Sequence, residues 1–115
     1  MGLFGKKNKS DSSNDARLRV SVSNEGAEYT VIVEGRLDTN TSPELEAEIN
    51  EVIGDANKLI IDLAKLDYIS SAGLRVLLGA AQDMEDKGEM VVRNVTESVR
   101  EVFDLTGFDH VFKIE

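Results

Sequence analysis

Leu59-Ile60-Ile61-Asp62-Leu63, followed a few residues later by Ser70-Ser71-Ala72-Gly73-Leu74-Arg75-Val76-Leu77-Leu78, is the stretch that decides the fold. The first five residues are nearly all apolar, the pattern of a strand covered on both faces. The second run has a different period. On a helical wheel at about 100° per residue, Leu74, Leu77, Leu78, Ala81 and Met84 gather on one side as a core face. This spacing predicts a helix that begins at the serines, reaches about Lys87 and stops at Gly88. The interval from Ala64 to Ile69 reads as a loop. A buried strand feeding a helix is the opening half of a parallel crossover unit.

Reading outward, the same alternation continues towards the C-terminus. Met90-Val91-Val92 forms a second buried strand. Thr96 is placed to cap a third helix carrying Val99, Val102, Phe103 and Thr106, with Gly107 at its end. Val111 to Ile114 is a last short strand. Towards the N-terminus, Leu18, Val20 and Val22 alternate with polar residues, Asn24-Glu25-Gly26 supplies a turn, and Tyr29 to Val33 is β-rich; together they predict a hairpin. After Gly35-Arg36-Leu37-Asp38 comes a polar loop. Thr41 and Ser42 are candidate caps before Pro43, and Thr41 with Glu44 has capping-box spacing. Leu45, Ile49, Val52 and Ile53 recur on one helical face, closed by Gly54. The fold class is therefore α/β. A mixed sheet is expected, opening with an antiparallel hairpin and continuing in parallel strands through right-handed crossovers, with about three helices packed on it.

Composition bounds the function. A chain of 115 residues holds one well-cored domain, and 41% hydrophobic with 30% charged residues is ordinary for a globular protein. Thirteen basic against 22 acidic residues leave a net charge of −9, which repels phosphate backbones and argues against a nucleic-acid partner. There is no cysteine and a single histidine, His110, so thiolate zinc sites, disulfides and multi-histidine metal sites are excluded. Residues 1–15 read as a flexible tail. Lys6, Lys7 and Lys9 give its first ten residues +3, leaving −12 on the rest, and Ser10 to Asn14 resembles a linker. The domain is expected over residues 16–115. Leu3, Phe4 and three lysines make a weak membrane anchor, Gly2 lacks the Ser/Thr of an acylation signal, and no apolar run approaches the ~20 residues that span a bilayer. No stable membrane insertion and a cytoplasmic location are expected.

The helix that begins at the serines has an unusual outer side. Where charge is expected it carries Ala72, Val76 and Gly79, with Arg75 beside them and Asp83 only at the far end. Such a small, flat, apolar strip suits close approach by another protein, or else cover from within the chain by a sheet neighbour or the loop after Gly35. Ser70 and Ser71 sit at the helix entrance. Accepting a hydrogen bond from an orphan backbone N–H is the simplest role for a serine there. The same exposed donors and the positive end of the helix dipole also make this a tolerable place for a phosphate.

Ile61-Asp62-Leu63 through Tyr68-Ile69-Ser70-Ser71-Ala72-Gly73-Leu74 resembles the signature of STAS domains, specifically bacterial anti-sigma factor antagonists. Glu34-Gly35-Arg36-Leu37-Asp38 before a capped helix resembles that family too, and the order of elements agrees from about Leu18 to Glu115. The family's usual signature is Asp-Ser-Ser/Thr-Gly, phosphorylated on the serine after the aspartate. Aligned through Gly73 and Leu74, that position is Ser71. Ser70 stands in place of the aspartate and could compete as acceptor, and Ala72 stands in place of the second hydroxyl. Asp38 matches an acidic loop residue near the phosphorylation site.

The resemblance implies a partner-switching protein. Unphosphorylated, it would bind an anti-sigma factor serine kinase of the GHKL type and free the sigma factor; phosphorylated, it would dissociate until a metal-dependent serine phosphatase restores it. Asp38, Ser70, Ala72, Gly73, Arg75, Val76 and Gly79 are the expected partner-binding residues. Nucleotide and metal belong to the partners, and no cofactor is expected here. An acidic group within ~6 Å of such a phosphate would repel it by ~3 kcal/mol per pair of unit charges at an effective dielectric near 20. A second possibility within the same fold is an accessory subunit of a membrane transport ATPase complex. Catalysis is not expected. Ser71 and Asp38 could be cast in it, but the only base, His110, lies far along the chain, and no glycine-rich phosphate loop is present. The carboxylates on helix faces, such as Glu44, Glu48 and Glu51, read as solvating charge.

Overall fold

In a computed structural model that describes residues 17–115, the alternating segment after Arg17 is strand β1 (Leu18–Glu25), and it turns into β2 (Glu28–Leu37). The two pair antiparallel from Leu18↔Gly35 to Glu25↔Glu28. Gly26 supplies the left-handed turn residue (φ 60°), and Asn24 Nδ2 donates to its carbonyl at 2.9 Å. The expected tail of residues 1–15, and residue 16 of the expected domain, lie outside the described residues. Then follow α1 (Ser42–Val52), β3 (Lys58–Ile69), α2 (Ser71–Met84), β4 (Glu89–Arg93), α3 (Glu97–Thr106) and β5 (Lys113–Ile114). The sheet order is β1-β2-β3-β4-β5, with every pair after the hairpin parallel. Each parallel crossover passes through one helix, as the alternating pattern predicts.

Apolar alternation explains the core. Val31, Val33, Leu59, Ile61, Leu63 and Val92 form one cluster with Leu45 and Ile49 of α1, Leu74, Leu77 and Met84 of α2, and Val99 and Phe103 of α3. Ile60 and Val91 alternate to the opposite face and are buried as well, which accounts for the unbroken apolar reading of β3 and β4. Phe112 packs tilted on Phe103 and edge-on to Phe108, with ring centroids 5.5 and 5.6 Å apart.

Several local expectations change. The expected loop from Ala64 to Ile69 is instead the second half of β3, which pairs with β2 through Gly35↔Leu66, Arg36↔Tyr68 and Leu37↔Ile69. Bulges between Ile32 and Glu34 and between Gly35 and Arg36 carry the register across polar residues that break the apolar run. Gly35 (φ 104°) bends β2 against Arg17, whose carbonyl oxygen occupies the place a Cβ would need. Helix α2 ends at Met84 rather than Lys87, and the N–H groups of Lys87 and Gly88 both return to the Met84 carbonyl. Its buried arc is turned towards Gly73 and Ala80, leaving Leu78 and Ala81 half-buried. Helix α1 gives way at Ile53 to a short 3-10 turn containing Gly54, and a similar turn, Phe108–His110, shortens the last strand. Gly107 (φ 82°) does end α3 in the left-handed conformation.

Candidate functional site

The parallel pair Leu37↔Ile69 ends β2 and β3 side by side, and the next residues of each strand form the site. Ser70 is fastened there by its backbone: its N–H donates to the Leu37 carbonyl at 2.9 Å, and its own carbonyl accepts from Leu74 N–H at 3.0 Å. Ser70 is extended (φ −98°, ψ 174°) and its side chain accepts from Gly73 N–H at 3.3 Å, so it is the N-cap of α2. Ser71 is the first helical residue. It is exposed, and its hydroxyl has no hydrogen-bond partner among the described residues. The capping role thus falls to Ser70 alone.

Across the strand ends, Asp38 organises the loop into α1. Its Oδ1 accepts from Asn40 N–H at 2.9 Å and Thr41 N–H at 3.0 Å, and Arg17 approaches Oδ2 at 3.8 Å. The Thr41 N–H bond, helped by the Thr41 hydroxyl, Asn40 N–H and the Arg17 charge, outweighs desolvation and holds the carboxyl below its ordinary range. Asp38 is therefore a fixed negative charge at neutral pH. Its backbone is tied in as well: Asp38 N–H donates to Thr41 Oγ1 at 2.9 Å, and Ser42 Oγ donates to the Asp38 carbonyl at 2.6 Å. Thr41 Oγ1 donates to the Arg36 carbonyl at 2.8 Å instead of capping α1, so the capping box read from Thr41 and Glu44 does not form. Thr96 behaves alike. Its hydroxyl donates to the Leu66 carbonyl at 3.0 Å and does not cap α3. Both threonines satisfy carbonyls of the strands rather than N–H groups of the helices.

Of the other expected partner-binding residues, Ala72, Val76 and Gly79 are half-buried and Arg75 is exposed. Ala72, Arg75 and Val76 line one wall of a shallow groove whose other wall is Thr39, Ser42, Pro43 and Glu46. The loop after Gly35 therefore flanks the strip without closing it, and a Cβ added at Gly79 would meet nothing within 4 Å. Gly73 is the exception. It is buried, and a Cβ there would lie 2.8 Å from Leu37 Cδ2, so its place is under α2 and not on a surface open to a partner.

Residues not singled out from the sequence also shape the site. Thr39, Pro43 and Glu46 join Ser42 in the far wall of the groove, and the one available signal is Pro43, in the first turn of α1 beside the Asp38 loop. Arg36 stacks on Tyr68 with its guanidinium carbon 4.2 Å from the ring centroid, a pairing visible only once the strand register is known. His110 lies in the turn before β5, exposed, with Nε2 3.6 Å from Asp109 Oδ2. Among the described residues no group of three His, Cys, Asp or Glu side chains could hold a metal ion. Nor is any helix among them long and apolar enough to cross a membrane. What the arrangement offers chemically is one accessible hydroxyl at a helix N-terminus, a nearby fixed carboxylate and a small-residue groove.

Comparison with known proteins agrees with this geometry. The chain is 38% identical over 84 residues to BtrV of Bordetella bronchiseptica, a protein assigned as an anti-sigma factor antagonist; the match spans 71% of this chain and 72% of that one. The crystal structure of an anti-sigma factor antagonist from Mycobacterium paratuberculosis superimposes with a TM-score of 0.78 at 28% identity, covering 84% of both chains. The Bacillus protein SpoIIAA shares the fold in its unphosphorylated form (TM-score 0.70, 23% identity, 84% of this chain and 87% of that one). Its phosphorylated form does so too (TM-score 0.67, 20% identity, 84% and 90%). A family model described as the STAS domain matches residues 20–115, from the first strand to the C-terminus, and the chain belongs to the STAS domain family.

Proposed function

We propose that this chain is an anti-sigma factor antagonist that works as a phosphorylation-controlled binding switch. Unmodified, it docks on an anti-sigma factor serine kinase of the GHKL type through Asp38, Ser70, Ala72, Arg75, Val76 and Gly79, and the kinase gives up its sigma factor. The kinase then transfers the γ-phosphoryl group of ATP to Ser71 Oγ, which loses its proton as ADP leaves. The modified protein dissociates, and a serine phosphatase hydrolyses the phosphate to restore it. The chain itself is a binding protein and kinase substrate, not an enzyme, and acts in the cytoplasm.

The observation that carries this reading is the division of labour between the two serines. Ser70 caps the helix, so Ser71 is left exposed and without a partner beside the groove. Physical chemistry favours a switch that leaves the fold alone. A phosphate at the first helical residue gains ~0.3–1 kcal/mol from the dipole, whereas pressing it against an apolar partner surface removes its water without replacing those hydrogen bonds. The names of the similar proteins point the same way.

Incubation with ATP and the serine kinases of the same genome tests the reading. The expected result is a mass gain of one phosphate mapped to Ser71 and absent from Ser71→Ala. No phosphate together with copurification of a transport ATPase would instead identify an accessory subunit of a transport complex.

A further inference from the structure

Three arginines surround the strand ends that carry the serines, and two of them are engaged. Arg17 pairs with Asp38 at 3.8 Å. Arg36 is stacked on Tyr68, and since Leu37 and Ile69 next to them are buried under the helices, this pair alternates to the other side of the sheet. Arg75 alone of the three makes no ion pair, hydrogen bond or ring contact among the described residues, although it is exposed and lines the groove wall. It lies four residues after Ser71 on the same helix. At that spacing two side chains are neighbours on the helix surface, about 5–6 Å apart at Cβ, and an anion placed N-terminal to a cation is the favourable order.

We infer that Arg75 is the built-in counter-ion for a phosphate on Ser71, and that it draws that phosphate along the rim of the groove. The inference rests on the phosphorylation reading above and adds to it where the phosphate goes and what it does there. Asp38, next to the Leu37 carbonyl that accepts from Ser70 N–H, is held ionised by backbone donors and repels a dianion, whereas Arg75, one turn along α2, presents a planar fork that matches two phosphate oxygens. Glu46 faces Arg75 across the groove without an ion pair between them, so it supplies field but no geometry to compete with the phosphate. Before modification, Arg75 is available to an acidic group on a partner. Afterwards it is occupied by the chain's own phosphate, and the rim between Ser71 and Arg75 carries a hydrated anion over Ala72. One modification then removes a docking cation and blocks the groove together.

The test does not need the kinase. Phosphoserine is placed at position 71 during synthesis, and 31P NMR follows its second ionisation, ordinarily near pH 6, in the otherwise native chain, in Arg75→Gln and in Lys58→Gln. Lys58 begins β3 at the opposite end of the strand from Ser70, so it controls for net charge alone. With Arg75 present the ionisation is expected about 0.15–0.4 of a pH unit lower than in Arg75→Gln, the size of an i,i+4 pair; Lys58→Gln should match the native chain. Equal values in the native chain and Arg75→Gln, or an equal displacement in Lys58→Gln, would overturn the inference. Neither outcome bears on whether a kinase phosphorylates Ser71, which the mass measurement decides separately.

Discussion

Positions 70 and 71 carry the same side chain in two different situations, and stability separates them. Ser70 Oγ closes the first turn of α2 by accepting from Gly73 N–H. Ser70→Ala should therefore lose about 0.5–2 kcal/mol in urea denaturation, while Ser71→Ala should stay within about 0.5 kcal/mol of the parent. Equal losses would mean that the hydroxyls are assigned the wrong way round. Asp38 gives a second prediction at this scale. Its pKa lies below the ordinary value of 3.8, so at intermediate pH the folded chain binds fewer protons there than the unfolded chain does. Stability from this carboxylate is complete at neutral pH and is lost as pH falls below about 4 through the folded pKa. The amide resonances of Asn40 and Thr41, which donate to Asp38, should titrate together with a midpoint below 3.8. A midpoint at or above that value would show that these donors do not stabilise the carboxylate.

Elements show what could be read from the sequence and what could not. The order of strands and helices follows from apolar periodicity, because every buried strand and helix face announces itself in that way. The second half of β3 does not: Ala64, Lys65, Asp67 and Tyr68 are exposed, and only pairing with the bent half of β2 makes them strand. Thr41 and Thr96 stand at the N-cap positions read for them, but their hydroxyls do not cap, since a hydroxyl beside a helix start can equally reach a strand carbonyl once the tertiary structure supplies one. At the site, the apolar strip was legible from helical spacing and Ser71 and Asp38 were implied by the family resemblance, whereas the far wall of the groove and the inward turn of Gly73 depend on how α1 and α2 meet the sheet. Gly73 is the joint between α2 and the strand ends. Gly73→Ala places a methyl 2.8 Å from Leu37 Cδ2 and Cγ and 3.0 Å from Ile69 Cγ1. Overpacking of this kind should cost about 1–3 kcal/mol, with shifted resonances at Ser70 and Ser71 as the helix start moves. A variant as stable as the parent would show that α2 does not rest on Leu37.

For the whole molecule, an acidic domain with one uncommitted hydroxyl at a helix start is suited to carry a phosphate on its surface without unfolding. None of the core side chains lies at Ser71, and α2 is held to the sheet through Leu74, Leu77 and Met84. The phosphorylated protein should accordingly keep its fold and unfold within a few degrees of the unmodified form, a dipole gain of ~0.3–1 kcal/mol corresponding to only that much. What should change is association. Titrating the cognate anti-sigma kinase with the unmodified protein and with the Ser71-phosphorylated protein, at one salt concentration, reads this directly. Binding weakened ~100-fold by the phosphate, about 3 kcal/mol, is the expected result; identical dissociation constants would contradict the switch.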